Sequence, residues 1–136
     1  MVQMSIVRGS RAEGKTTSGK LRGTFTGDVY LDRLYSDSHI GLFHVNFTPG
    51  SRTDWHSHEG GQLLRVIAGS GWICDKGAEP QRINVGDMVW CPPGTVHWHG
   101  ADDGSYMVHF AVSYGKTEWY DRVTENEFNR IEQSST

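Results

Sequence analysis

Short runs of β-forming residues recur along most of this chain, each closed by a glycine- or proline-bearing turn. Runs over residues 24–34, 40–48, 62–68, 72–75, 88–91, 96–100 and 106–113 are rich in Val, Ile, Phe, Tyr and Trp. Between them stand Pro49-Gly50, Gly60-Gly61, Gly69-Ser70-Gly71, Gly86-Asp87 and Pro92-Pro93-Gly94. β-branched and aromatic side chains fit a pleated, half-buried surface, and Gly and Pro supply the backbone angles of tight turns. Strands this frequent, with no helical periodicity between them, predict an all-β fold: an antiparallel barrel or jelly roll.

Only the ends depart from the pattern. Residues 1–20 are rich in Ser, Gly, Lys and Arg and read as an N-terminal arm, loose or pinned outside the barrel. Residues 21–136 read as one domain, since 136 residues suffice for one core but not for two ordinary ones. Near the C-terminus, Thr124 and Glu127 have the Thr-x-x-Glu spacing of a capping box, which predicts a short helix over residues 126–131.

Composition narrows the partners. A net charge of −3 without a dense Lys/Arg run argues against nucleic acid. No segment is long and apolar enough to span a bilayer or to form a signal sequence, so no membrane partner and a cytoplasmic location are expected. Cys74 and Cys91 lack the paired spacing of a zinc or redox motif and read as buried thiols. A small-molecule partner remains.

Seven histidines are many for this length, and their placement carries the chemistry. His56-Ser57-His58 and His97-Trp98-His99 each put two imidazoles at i and i+2, on one face of a strand. Two such strands brought together converge several nitrogens on one point, and imidazole is a ligand for zinc, iron, manganese, nickel and copper.

The spacing is specific enough to name a family. Gly50-x5-His56-x-His58-x3-Gln62-x6-Gly69 resembles the first cupin motif, and Gly86-x5-Pro92-x-Gly94-x2-His97 resembles the second up to its histidine. The resemblance implies a single-domain cupin β-barrel (a monocupin jelly roll) holding one divalent metal ion per subunit through His56, His58, Gln62 and His97. Manganese, iron or zinc is expected, with nickel or copper as further options. Cupins of this size also imply a homodimer or homotetramer.

Two positions depart from the family pattern. Gln62 replaces the usual Glu, and Ala101 stands where Asn usually ends the second motif. Glu59 is a poor substitute for the missing acid, because strand alternation turns it away from His58. A Gln donates only a neutral carbonyl oxygen, so a bound ion keeps its full +2 charge. That suits Lewis-acid chemistry and attracts oxygen-bearing or anionic substrates.

Gln62 at the acid position, with His97-Trp98-His99-Gly100 and His109 on the last strand, is similar to bacterial cupin-type hydroxynitrile lyases. That likeness implies a lyase that cleaves or forms cyanohydrins, with His109 as base, His99 serving the departing cyanide and Thr53 orienting a substrate oxygen. Phe43, Val45 and Phe47 on one strand, with Ala111 and Ser113 on another, are expected to line the substrate pocket by alternation. Cupins serve unrelated chemistries. A metal-dependent dioxygenase or other oxidoreductase, an isomerase, cyclase or decarboxylase, and a non-catalytic ligand-binding cupin are therefore the alternatives. Trp55, Trp72, Trp90 and Trp98 are expected in packing, and Arg52 and Arg65 in surface ion pairs.

Overall fold

The computed structural model of the protein describes residues 2–7, 18–20 and 23–134, with backbone alone at 18–20 and 131–134. Among these, twelve strands and one helix follow in order. They are β1 (Ser18–Lys20), β2 (Phe25–Thr26), β3 (Val29–Ser36), β4 (Ile40–Phe47), β5 (Arg52–Thr53), β6 (His56–His58) and β7 (Gln62–Asp75). β8 (Gln81–Asn84), β9 (Met88–Cys91), β10 (His97–Ala101), β11 (Met107–Tyr114), β12 (Thr117–Trp119) and α1 (Glu125–Ser134) complete the order. All pairings are antiparallel. The path β1-β3-β4-β11-β7-β10-β5-β2 curls into a nearly closed barrel, with β12 and β6 beside β10 and β8 and β9 beside β7. This is the expected single-domain jelly roll.

Two expected strands resolve differently. The run over 62–75 was expected to break at Gly69-Ser70-Gly71, yet β7 passes through it unbroken. The glycines let one strand serve both sides of the barrel. Gly69 lies at φ 71°, and a Cβ there would meet the carbonyl of Tyr106. Opposite it, the β7–β11 register shifts by a bulge between Val108 and His109, a device that bends a strand at a barrel corner. Conversely, the run over 24–34 divides into β2 and β3, because Gly27 and Asp28 form a turn that sends the two strands to different sheets.

Three clusters fill the interior. Val29, Val45, Phe47, Val66, Ile83, Ala101 and Met107 close one end of the barrel. Leu64, Cys91 and Ala111 pack beneath β7, β9 and β11. Trp55, Trp72, Cys74 and Trp98 meet Val123 and Phe128, so the C-terminal helix docks on an aromatic wall. Burying Phe128 there is worth about 2–3 kcal/mol.

Both halves of the capping box form: the Glu127 amide donates to Thr124 Oγ1 at 3.1 Å, and the Thr124 amide donates to Glu127 Oε1 at 3.0 Å. The helix starts one residue earlier and runs three longer than expected. Arg52 corrects another expectation. Only 4% exposed, it is no surface residue: it donates to Glu125 Oε1 at 2.7 Å and to the Val123 carbonyl at 3.3 Å, and it lies 4.5 Å from the Phe128 ring centre.

Trp55, Trp72 and Trp98 pack as expected, whereas Trp90 is 53% exposed against Tyr114. Both cysteines are free and buried, and burial pushes their thiols up, to about 11 for Cys74 and about 12 for Cys91. Of the expected arm, residues 1 and 8–17 lie outside the described residues. Residues 2–7 have no regular secondary structure, and residues 18–20 pair with β3. Among the described residues no helix is long and apolar enough to cross a membrane.

Candidate functional site

Short strands place the histidines. β6 and β10 pair through His56 and His97, so the two His-x-His segments lie side by side as their alternation requires. His56, His58, His97 and His99 are all buried, with ring centres 4.4 Å apart for His56–His97 and 5.0 Å for His56–His58. His56, His97 and His99 each present a ring nitrogen, all within 4.8 Å of one another, so three histidines can hold one metal ion. Gln62 enters from the first position of β7, and His109 from β11. Glu59 is exposed, turned away as alternation demands.

The hydrogen bonds of these side chains share one pattern. His56 Nδ1 donates to the Asp54 carbonyl at 2.9 Å, and His97 Nδ1 donates to the Thr95 carbonyl at 2.9 Å. His58 Nδ1 bonds Thr117 Oγ1 at 3.0 Å, and the Gln62 amide nitrogen donates to Ser113 Oγ at 2.9 Å. The outward polar atom of each side chain is thus fixed. Opposite those anchors, His58 Nε2, Gln62 Oε1 and His97 Nε2 are buried, with no partner there beyond the mutual approach of His58 and Gln62. Buried polar atoms left unpaired cost about 1–3 kcal/mol each. Side chains anchored at one end and free at the other form the usual support around a metal ligand. These anchored donors have the chemistry of ligands to a divalent cation, but the nitrogens that converge within 4.8 Å belong to His56, His97 and His99, and His58 stands outside that trio.

His99 and His109 form a second unit. His109 Nε2 lies 3.1 Å from His99 Nδ1, leaving His109 Nδ1 and His99 Nε2 buried and unpartnered. Phe47 packs under both rings, with centres 5.3 Å from His109 and 5.9 Å from His99. Burial holds every one of these imidazoles neutral. It depresses His109 to about 3, and with the neighbouring His97 it lowers His58 to about 4. His56 and His99 sit well below the ordinary range for the same reason, and His97 is lowered too, though its bond to the Thr95 carbonyl opposes the shift.

These groups open on a cavity of about 280 Å³. Phe43, Val45, Ala111 and Ser113 line it, and so do His56, His58, Gln62, Thr53, His99 and His109. Phe47 does not: it is 2% exposed and supports the two imidazoles from below. Thr53 is at the wall, where its hydroxyl oxygen accepts the His99 amide at 3.2 Å. His97 is set against His56 and is not part of the wall.

The chain's own reading missed several wall residues. Trp119 lies 4.7 Å from the His56 ring at an interplanar angle of 32° and touches Phe25 at 5.8 Å. Thr117, which steadies His58, precedes it on the same face of β12, with Glu118 between them facing out. That alternation was the available signal, weak in a three-residue strand. Phe25, Leu31 and Arg33 also reach the cavity.

Comparison with known proteins bears on the family and the fold. Residues 43–113 match the model of the cupin domain. The chain is 40% identical to a protein from Granulicella tundricola named (R)-mandelonitrile lyase, across 93% of this chain and all of that one. Among solved structures, a cupin-like protein from Thermotoga maritima superposes with a TM-score of 0.80 at 35% identity, covering 93% of this chain and 96% of that one. A predicted oxalate decarboxylase from the same organism superposes at 0.69 with 21% identity, over 82% of this chain and all of the other, a likeness of fold alone.

Proposed function

The chain belongs to the cupin family, and from that premise we propose that it is a metal-dependent lyase of the hydroxynitrile-lyase type, which breaks or forms the bond between a cyanohydrin carbon and cyanide. The observation that carries the reading is the pair His99–His109 facing the same cavity as the donor side chains of His56, His58 and Gln62. The likeness to a protein named (R)-mandelonitrile lyase supports it.

His56, His58, Gln62 and His97 would hold the ion, with manganese, iron or zinc suited to three imidazoles and an amide oxygen. When bound, the ion supplies Lewis acidity that lowers the pKa of a substrate hydroxyl. His99 lies close enough to compete as a ligand. Its Nδ1, however, is tied to a second imidazole rather than to a fixed carbonyl or hydroxyl, which suits proton transfer better than ligation.

The protein's own groups then move one proton. The free nitrogen of His109 takes it from the cyanohydrin hydroxyl, and the carbon–cyanide bond breaks as the carbonyl forms. The 3.1 Å contact passes a proton from His109 Nε2 to His99 Nδ1. His99 gives up its other proton to cyanide, so an aldehyde and hydrogen cyanide leave and both rings end neutral. Imidazoles depressed by burial are weak bases, so the step requires an acidified hydroxyl. Thr53 and the apolar wall orient the substrate.

Mandelonitrile cleavage, followed by benzaldehyde absorbance under nitrogen and under air, tests the reading. The expected result is equal turnover in both atmospheres, with His109→Ala retaining its metal while turnover falls by about 10²–10⁴-fold. Turnover that needs oxygen, or that survives in His109→Ala, contradicts it.

We further propose that the subunit pairs with a second copy. The outer face of the sheet carries Leu42, Val112, Leu63 and Trp90 in one cross-strand row and His44, Phe110, Arg65 and Met88 in the next. A sheet face meant for water alternates to polar residues; this one stays largely apolar, and two copies can cover it symmetrically.

A further inference from the structure

Among the described residues, one side chain of the cavity wall carries a permanent charge. Of the described residues that line it, Arg33 alone is a charged Arg, Lys, Asp or Glu side chain. Strand register puts it there. In β3, Leu31 and Arg33 face the cavity while Tyr30 and Asp32 face away, and Arg33 stands opposite Phe43, which stands opposite Ala111. Leu31, Val45 and His109 occupy the next inward row. Arg33 and His109 are therefore one inward step and two strand spacings apart, a backbone separation of about 12 Å. An extended arginine side chain spans much of that distance, leaving room for a substrate between them.

Among the described residues, Arg33 has no acid of its own. Its recorded contact is with the Phe43 ring, whose centre lies 6.0 Å from the guanidinium carbon. The four ion pairs among the described residues use Arg52, Lys76, Arg82 and Arg130 instead. Tyr35 Oη and the backbone amides of His39 and Ile40 already engage the Asp37 carboxylate, and Asp32 lies on the other face of the strand. An arginine at the rim of the cup, held over an aromatic face with no acid beside it among the described residues, is suited to a planar anion.

We infer that Arg33 receives a carboxylate, so that the protein's own substrate is a small carboxylic acid with an apolar middle. The carboxylate meets Arg33 at the mouth, the middle lies against Phe43, Leu31, Val45 and Ala111, and the reacting oxygen reaches the histidines. The inference deepens the proposed function, since it takes this cavity as the substrate site, and it concerns the end of the substrate remote from the chemistry. Mandelonitrile, which has no charge, would on this account use the reacting end of the site and leave the mouth empty.

Binding of unreactive alcohols separates the two ideas. Calorimetry on the purified, metal-loaded protein compares benzyl alcohol with 3- and 4-(hydroxymethyl)benzoate. The better of the two benzoates is expected to bind about five- to tenfold more tightly than benzyl alcohol, as suits one Arg–carboxylate pair at a partly exposed rim. Arg33→Gln should erase that advantage and leave benzyl alcohol unchanged, which also shows that the variant is folded; Arg33→Lys should keep part of it. A wild type without preference for either benzoate, or a preference that persists in Arg33→Gln, overturns the inference. Mandelonitrile turnover is followed alongside. Its absence with the benzoate preference intact removes the lyase reading and leaves Arg33 as the carboxylate site, while its presence without the preference does the reverse.

Discussion

Five buried neutral imidazoles make the fold sensitive to acid, and the size of the effect follows from their pKa values. His58 and His109 are depressed to about 4 and about 3, and His56 and His99 are held well below the ordinary range, all chiefly by burial. In the unfolded chain each returns to about 6.5, so below that pH the unfolded state binds protons that the folded state refuses. Stability is therefore complete above about pH 6.5 and falls as pH drops toward the folded values. For His58 and His109, lowering the pH from about 7.5 to about 5.5 costs roughly 1 kcal/mol each, or about 2–3 kcal/mol together, and His56 and His99 act in the same direction. That compares with a total stability of about 5–15 kcal/mol for a domain. Urea unfolding of the metal-stripped protein at the two pH values, with a chelator present, should show the midpoint collapse. His109→Phe should recover part of the loss. A midpoint that stays level across this window would refute the premise that the cluster is neutral and tightly buried.

Other consequences are local. Thr117→Val removes the bond that steadies His58 Nδ1 and should weaken metal retention by about 10–100-fold in chelator competition. Glu127→Ala breaks one half of the capping box and a bond from the Trp55 indole, and should cost about 1 kcal/mol in urea unfolding. Trp90→Glu together with Met88→Glu charges the apolar outer face; sedimentation should show pairs in the parent protein and single subunits in the variant.

Much of this was legible in the chain because its signals were local. The His-x-His pairs declare their shared face through strand alternation, and the glycines and prolines between runs declare the turns. The long strand β7 was misread because a glycine pair is the same signal for a turn and for a barrel corner, and only the partner strand decides between them. Strands of two to four residues such as β5, β8 and β12 exist through pairing with longer neighbours and have no periodicity of their own. Arg52 looked like a surface residue because charge predicts exposure, and the helix that buries it arrives from more than seventy positions away. Phe47 was assigned the right face and the wrong depth: alternation fixes direction, whereas its place beneath His99 and His109 depends on the two rings that cover it.

Elemental analysis of the purified protein and its single variants measures most directly whether His56, His58, Gln62 and His97 share one cation. One divalent ion per subunit is expected in the parent, in His99→Ala and in His109→Ala, with the ion lost in His97→Ala and in His58→Ala. Full metal in His97→Ala, or loss in His99→Ala with retention in His58→Ala, would contradict the assignment and move the centre to another set of donors.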